Sequence, residues 1–508
     1  MKIFKIIDDF LNKTTMYRLT LYGVVSLWFL ALFFSVVGIL HYNPIDLVVT
    51  LALAFGICVL VNEVFARTFG APSNNESVYI TAFILASIIS PISSLPDFYF
   101  LLWACILAMA TKYILAIGKK HIFNPAAAGV VLASLVSGGA ATWWMGTIYM
   151  APFVLIVGIL ICKKIKRFDL FLSFIVSSFV FIIGYDIFVG QNFISAIGST
   201  LFNSPIIYLG SVMLTEPMTT PPIKKSRIIY GALIGFLGDP FINIAGFYST
   251  PEIALVLGNI YSYAVSSKRK LILKLKKKNK IANETYDFVF LSNQKFNYKP
   301  GQYLEWTLPH EKIDNRGMRR YFTVASSPTE KEIIMGVKFY DNPSSYKQSL
   351  ISLGEQGTIV ASQLAGDFTL PEDKNKKLVF IAGGIGVTPF RSMIKYLIDK
   401  NEKRDITIFY SNKGISDITY KDIFDEAFLN LGIKTIYCLS DSESTPKDWS
   451  GEKGFITPEM IRKYVPDFAQ RTFYMSGPRS MILAFQDSLG KMGIPKNRIK
   501  TDFFPGFV

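Results

Sequence analysis

Arg320, Phe322 and Thr323 lie in the stretch RRYFTVASSP, residues 319–328. On a strand alternate side chains share a face, so Arg320 and Phe322 point the same way. A guanidinium there can meet a pyrophosphate while the aromatic ring covers an isoalloxazine, with the Thr323 hydroxyl available at the ring's reactive edge. An ordinary exposed strand would carry the same three residues, so the neighbouring stretches have to decide. SSYKQSL (344–350) opens a helix bearing Ser345 and Lys347, whose hydroxyl, ammonium and first-turn amides suit phosphate. KKLVFIAGGIGVTPFRSMIKYLI (376–398) runs a buried apolar strand into Gly383, Gly384 and Gly386 and starts a helix at Pro389. Strand, glycine turn and helix N-terminus together make a dinucleotide phosphate site. Thr388 is placed to cap that helix or touch the ligand, and Pro389 suits the first helical position. DITIFYSN (405–412) and FYMSGPRSM (473–481) repeat the strand-then-turn pattern, and the terminal TDFFPGFV offers aromatic cover for a flavin face.

In order and spacing these motifs resemble the ferredoxin–NADP reductase superfamily over residues 270 to 508. The resemblance implies an FAD-binding antiparallel β-barrel, set at 281–372, followed by an α/β doubly wound NAD(P)-binding domain at 373–508. It implies that Arg320, Phe322 and Thr323 bind FAD, with Thr323 at the reacting edge. Gly383, Gly384, Gly386 and Thr388 would hold the pyrophosphate of NADH or NADPH. Ser476, Gly477 and Pro478 would lie by the nicotinamide; many members carry Cys where Ser476 stands.

The elements that precede this module are of another kind. Hydrophobic residues make up 51% of the 508, and mean hydropathy is +0.34. The apolar surplus fills residues 19 to about 265, which sets a cytoplasmic N-terminus at 1–18 and a membrane domain at 19–266. Ten apolar segments are read, near 19–40, 47–65, 78–95, 98–117, 125–140, 147–162, 169–189, 204–215, 228–245 and 251–265. Several approach the ~20 residues of a bilayer span. Loops at 42–46, 91–97, 138–146, 190–203 and 246–250 hold no Lys or Arg, while the alternate loops hold Arg67, Lys119, Lys120, KKIKR (163–167), Lys224, Lys225 and Arg227. The positive-inside rule then sets both termini in the cytoplasm. A basic stretch at 267–280 reads as a linker on anionic headgroups; a solvated strand with a charged flank fits its second half equally.

Two stretches interrupt the apolar half with chemistry. KKHIFNPAAAGVV (119–131) and MLTEPMTTPP (213–222) place Asn124, Pro125, Thr215 and Glu216 at broken helix ends. Free amides and carbonyls at such depth need something polar, or else the prolines merely kink helices and Glu216 faces water. These stretches resemble the membrane flavin subunits of the sodium-translocating NADH:quinone reductase and of the Rnf complex, over about residues 20 to 265. The resemblance implies a bound FMN or riboflavin. Those subunits attach FMN to a threonine in a Ser/Asp-Gly-Ala-Thr sequence; here the loop reads SGGAATWWMG (137–146), so Thr142 is a candidate attachment point outside the pattern and noncovalent flavin fits better.

Counts exclude other classes. The four cysteines are scattered with no Cys-x-x-Cys pair, against a four-thiolate iron–sulfur site. Only three histidines occur, against a stacked pair of bis-histidine haems, and no metal site is expected. The net charge of +15 follows membrane topology and does not indicate nucleic acid. The expectation is a multi-pass enzyme of a prokaryotic inner membrane. It would pass electrons from NAD(P)H through FAD to a flavin-binding membrane domain, and on to a quinone or extracytoplasmic redox partner, with further subunits possible in the assembly. A redox-driven ion transporter, through Glu63, Glu216 or Asp239, and a one-sided quinone or metal reductase are the alternatives.

Overall fold

The computed structural model describes residues 6–7, 10–11, 14–69, 75–117, 120–202, 205–239, 241–244, 247–266, 271–292, 294, 296–311, 313–314, 318–441 and 445–502. Contacts divide the chain into two compact units, Met1–Ser267 and Lys268–Val508.

The first unit is helical: α1 (Met16–Val36), α2 (Pro44–Thr68), α3 (Asn75–Ile88), α4 (Leu95–Ile114), α5 (Pro125–Ser137), α6 (Ala151–Ile165), α7 (Phe168–Phe188), α8 (Phe193–Phe202), α9 (Lys224–Leu237) and α10 (Pro251–Val265). Between α8 and α9 a single turn, Ile206–Tyr208, runs into a π-helical turn, Leu209–Met213. Among the described residues only α1, α2, α4 and α7 have the length and apolar composition to cross a bilayer. The others rise roughly 15–22 Å at 1.5 Å per residue, short of a ~30 Å hydrocarbon core. Six of the ten helices are thus shorter than a full span, as the fifth, eighth and tenth apolar segments already are in the sequence, and α8 lies inside the stretch 190–203 that reads as a loop.

Local chemistry explains the short pieces. The Asn124 side chain accepts from the Ala127 amide at 3.1 Å and Pro125 takes the first helical position, so α5 starts there. Gly138, at φ 71, ends it. Ser211 and Thr215 hydroxyls donate to carbonyls four residues back, Ile207 and Ser211, and Pro217 blocks continuation. Glycines set the packing of α9 on α7. A Cβ on Gly231 would lie 2.7 Å from the Leu170 carbonyl oxygen, and one on Gly235 2.7 Å from that of Phe174. Outward, large apolar side chains are bare: Leu60 is 68% exposed, Leu135 73% and Phe188 86%.

The second unit begins with β1 (Leu271–Ala282), β2 (Thr285–Ser292), β3 (Tyr303–Thr307), β4 (Arg319–Thr323), β5 (Ile333–Lys338), α11 (Ser345–Ile351) and β6 (Thr358–Ala365). The six strands form one antiparallel sheet in the order β4-β3-β6-β1-β2-β5. Among the described residues no ladder joins the edge strands β4 and β5 into a closed barrel. One backbone bond, Ala325 N–H to Ile334 C=O at 2.8 Å, ties them just past β4. The linker reading of 267–280 is corrected here, because residues 271–280 belong to β1; only 267–270 lie outside the described residues. Leu271, Leu273 and Leu275 are buried while Ile272, Lys274 and Lys276 face out, so the lysines are one face of an amphipathic strand. The six-stranded antiparallel sheet thus starts at 271.

There follow β7 (Leu378–Gly383), α12 (Thr388–Asp399), β8 (Ile406–Asn412), α13 (Lys421–Leu431), β9 (Lys434–Leu439), β10 (Glu452–Lys453), α14 (Pro458–Tyr464), β11 (Thr472–Ser476), α15 (Arg479–Lys491) and β12 (Ile499–Asp502). Their sheet is wholly parallel, in the order β10-β9-β8-β7-β11-β12. Strands after β7 grow one way and strands from β11 the other, which makes β7/β11 the point where the winding reverses.

Candidate functional site

Ligands of open parallel sheets bind beyond the carboxyl ends of the strands where the winding reverses, and here both glycine motifs meet there. Ala382 pairs with Ser476 across β7 and β11. A Cβ on Gly386 would fall 2.5 Å from Gly477 Cα and 2.6 Å from the Ser476 carbonyl oxygen. A Cβ on Gly383 would fall 2.5 Å from Met481 Sδ. Gly384 has φ 52, and Thr388 donates its hydroxyl to the Ile385 carbonyl at 3.2 Å. The cradle expected from Gly383, Gly384, Gly386, Thr388, Gly477 and Pro478 is therefore one place, shaped by the lack of side chains, at the N-terminus of α12.

On the antiparallel sheet, Arg320 is buried and its guanidinium lies over the Tyr346 ring at 5.1 Å. Phe322, two residues on, meets the same Tyr346 with ring centroids 6.1 Å apart. The two side chains share a face, with Tyr346 between them. Asp314 was not anticipated: its carboxylate is 3.6 Å from Arg320 Nη2 and accepts from the Ser345 amide at 3.1 Å. An anion thus already bridges the guanidinium and the first turn of α11, which is what a pyrophosphate of FAD would do; the residues fit the group.

Ser345 and Lys347 are placed differently from the expectation. The Ser345 hydroxyl accepts from the Asp314 amide at 3.0 Å and meets His310 Nε2 at 3.0 Å. The Lys347 ammonium donates to the Lys338 carbonyl at 2.8 Å and lies over Tyr340. Both side chains brace the loop, so only the backbone of α11 is offered to a phosphate. Thr323 donates to Asp502 Oδ2 at 3.4 Å, and Asp502 pairs with Ser476 at the end of β12. Asp502 therefore links the two residues expected at the reacting ends. The aromatic tail 503–508, expected to cover a flavin, lies outside the described residues.

The first unit joins its two motifs through Glu216. One carboxylate oxygen meets His121 Nε2 at 3.1 Å; the other accepts from Asn124 Nδ2 at 3.0 Å and Thr219 Oγ1 at 3.3 Å. The Asn124 amide donates to Asn259 at 2.7 Å, and Asn259 donates to the Tyr230 hydroxyl at 2.8 Å. Asn124, Pro125, Thr215 and Glu216 line one cavity, of about 50 Å³. That is too small for an isoalloxazine, since ligand pockets run ~300–1,000 Å³. The flavin expectation does not fit these four residues; they form a satisfied polar knot that braces the broken helices.

A second cavity in the same unit, about 480 Å³, is lined by Thr142, Trp143, Trp144, Tyr42, Thr147 and Asp239 among others. Asp239 is wholly buried, and neither carboxylate oxygen has a hydrogen-bond partner; the Thr147 hydroxyl has none either. Aromatic walls with orphaned polar groups at one side fit a flat ring with a polar edge, so FMN or riboflavin fits here. No sequence signal pointed to Thr147, and Asp239 stood out only as an acid in an apolar half.

Residues 380–487 match the family described as Oxidoreductase NAD-binding domain. The chain is 25% identical over 234 residues to the glycine betaine monooxygenase reductase subunit of Chromohalobacter salexigens, covering 44% of this chain and 62% of that protein. It is 28% identical over 221 residues to the CDP-6-deoxy-L-threo-D-glycero-4-hexulose-3-dehydrase reductase of Yersinia pestis, covering 41% and 60%. Among solved structures it is similar to the flavohem-like FAD/NAD-binding domain of nitric oxide dioxygenase from Vibrio cholerae, at 20% identity and TM-score 0.41, covering 46% of this chain and 97% of that one. The chain thus spans about three fifths of the length of the curated relatives it matches. The second unit thus carries an oxidoreductase NAD-binding domain at 380–487 and is similar in sequence to reductase proteins.

Proposed function

We propose that the protein is an NAD(P)H oxidoreductase of a prokaryotic inner membrane, with both termini cytoplasmic. In this reading it carries electrons from NAD(P)H on the second unit to a flavin in the first, and on to a quinone or an extracytoplasmic partner. The observation that carries the reading is the pairing of a reductase module with a helical unit whose 480 Å³ aromatic cavity contains an unpartnered, buried carboxylate. Support for the bilayer comes from four helices of spanning length and from bare side chains such as Phe188, since soluble surfaces rarely leave large apolar patches.

Within the module, the glycine cradle and the amides of α12 orient the nicotinamide nucleotide over the carboxyl ends of β7 and β11. Arg320 and the first turn of α11 would hold the pyrophosphate of FAD, Phe322 with Tyr346 would shape the wall beside it, and Thr323 presents its hydroxyl to Asp502. FAD, when bound, supplies a hydride acceptor that releases electrons singly. The protein's part is alignment of the two ligands, which converts an encounter into a positioned transfer.

Cofactor extraction from the purified full chain tests the reading: FAD and a second flavin are expected. Replacing Arg320 by Ala removes a charge-assisted contact worth roughly 1.5–3 kcal/mol, so FAD affinity should fall by about ten- to a hundredfold. Undiminished FAD affinity in that variant would contradict the assignment of the pyrophosphate site.

A further inference from the structure

We propose that Arg391 and Glu330 form a clamp that fixes the nicotinamide-binding helix against the flavin-edge strand, making Arg391 a positioning residue for hydride transfer. The proposal rests on the reading that the second unit holds FAD and NAD(P)H together. Arg391 lies on the first turn of α12, three residues after Thr388, and is 6% exposed. Its guanidinium forks onto Glu330: Nη2 meets Oε1 at 2.8 Å, and Nη1 meets Oε2. Nη1 also donates to the Ala325 carbonyl at 3.1 Å, two residues beyond Thr323.

The same helix is tied to the same segment twice more. Ser392 donates to the Ser326 carbonyl at 2.6 Å, and Asp399, near the far end of α12, accepts from Thr329 at 2.5 Å. The receiving segment is itself held. The Ser327 amide donates to Glu330, the Tyr298 hydroxyl donates to the Ser326 carbonyl at 2.8 Å, and the Ile334 amide donates to the Ser326 hydroxyl at 3.0 Å. Gly336 lets the N-terminus of α12 come close, since a Cβ there would lie 2.8 Å from Thr388 Cγ2.

The clamp therefore sits at the root of two short arms. One runs from Arg391 back to the dinucleotide turn, the other from Ala325 back to Thr323. Any slack at the root is delivered at the reacting ends. A misplacement of about 1 Å costs on the order of a hundredfold in rate. A bidentate Arg–carboxylate pair fixes angle as well as distance, which a lysine ammonium does not. A buried ion pair is a poor source of net stability, so geometry is the role left for this one.

The test uses the full chain purified in detergent, with Arg391→Lys, Glu330→Gln and, as a control, Lys403→Ala. Flavin content, thermal midpoint, nucleotide affinity and the single-turnover rate of flavin reduction by NADH and by NADH deuterated at the transferring position are measured. Arg391→Lys and Glu330→Gln should keep their FAD and bind nucleotide within about threefold, yet reduce flavin about ten- to a hundredfold more slowly, with a larger deuterium effect. Lys403→Ala, at an exposed site beyond α12, should stay within about threefold. Wild-type reduction rates in both fork variants would overturn the clamp while leaving the reading of the module intact. A slowing that only tracks lost FAD would overturn it too, since the pair would then be structural. A wild-type chain that holds no FAD, or whose flavin NAD(P)H does not reduce, would overturn the reading and the clamp together. Should Arg391→Lys not fold, Glu330→Gln alone carries the comparison.

Discussion

Asp287 shows how a single buried group reports on the module. It accepts from the Tyr420 hydroxyl at 2.5 Å, and burial pushes its carboxyl up to about 6 from 3.8, the hydrogen bond and the nearby Arg391 opposing. Below the lower value both folded and unfolded chains are protonated. Between the two values only the folded chain keeps its proton, so stability falls as pH rises through the window; above about 6 the loss is complete. At 1.36 kcal/mol per unit this amounts to roughly 3 kcal/mol. Asp287→Asn stays neutral and keeps an acceptor for Tyr420. It should raise the midpoint of flavin-monitored unfolding relative to wild type at pH 7–8, and by clearly less near pH 4. An equal difference at both pH values would contradict this account. At this scale the sequence was informative where one motif places one residue, as for Arg320 and Gly386. Tyr346, Asp287 and Asp502 were not legible, because each acts through a partner far along the chain that no spacing announces, and Asp314 was missed although Arg320 is six residues on. Ser345 and Lys347 show the converse: their types suit phosphate, but His310, Asp314 and Lys338 had the first claim on them.

Elements were easiest to read where one period dominates. The apolar run into Gly383 and the helix after Pro389 were visible because strand, turn and helix follow in order. In β1 the lysines hid a period of two, although Leu271, Leu273 and Leu275 carry it. In the first unit the breaks at Asn124-Pro125 and Thr215–Pro222 were legible from the prolines, and capping by Asn124 and back-bonding by Thr215 show how the chain makes them. The switch-point cradle gives a prediction at this scale. Gly386→Ala puts a methyl against the backbone of Gly477 and Ser476, where nothing flexible gives way. The apparent KM for NAD(P)H in flavin reduction should rise by at least about tenfold, equivalent to ~1.4 kcal/mol, with FAD content retained because Arg320 lies on the other sheet and Tyr346 on α11. An unchanged KM would mean that the nucleotide does not use this turn.

At the scale of the whole molecule, the two units divide the work that the proposed function needs: one binds the electron donor, the other offers an aromatic cavity inside an apolar helical body. In the proposed topology the donor side faces the cytoplasm, as the charge pattern of the loops suggests. In the proposed route, crossing an apolar core of about 30 Å is too far for one flavin as the only stop, so the cavity beside Thr142, Asp239 and the two tryptophans would be the second stop. Right-side-out vesicles loaded with NADH, with a membrane-impermeant acceptor outside, test this most directly. The account predicts reduction of the outside acceptor that depends on the protein and is lost with Arg320→Ala as FAD is lost. An outside acceptor that stays oxidised while added quinone is reduced would contradict it, and would make the protein a one-sided quinone reductase.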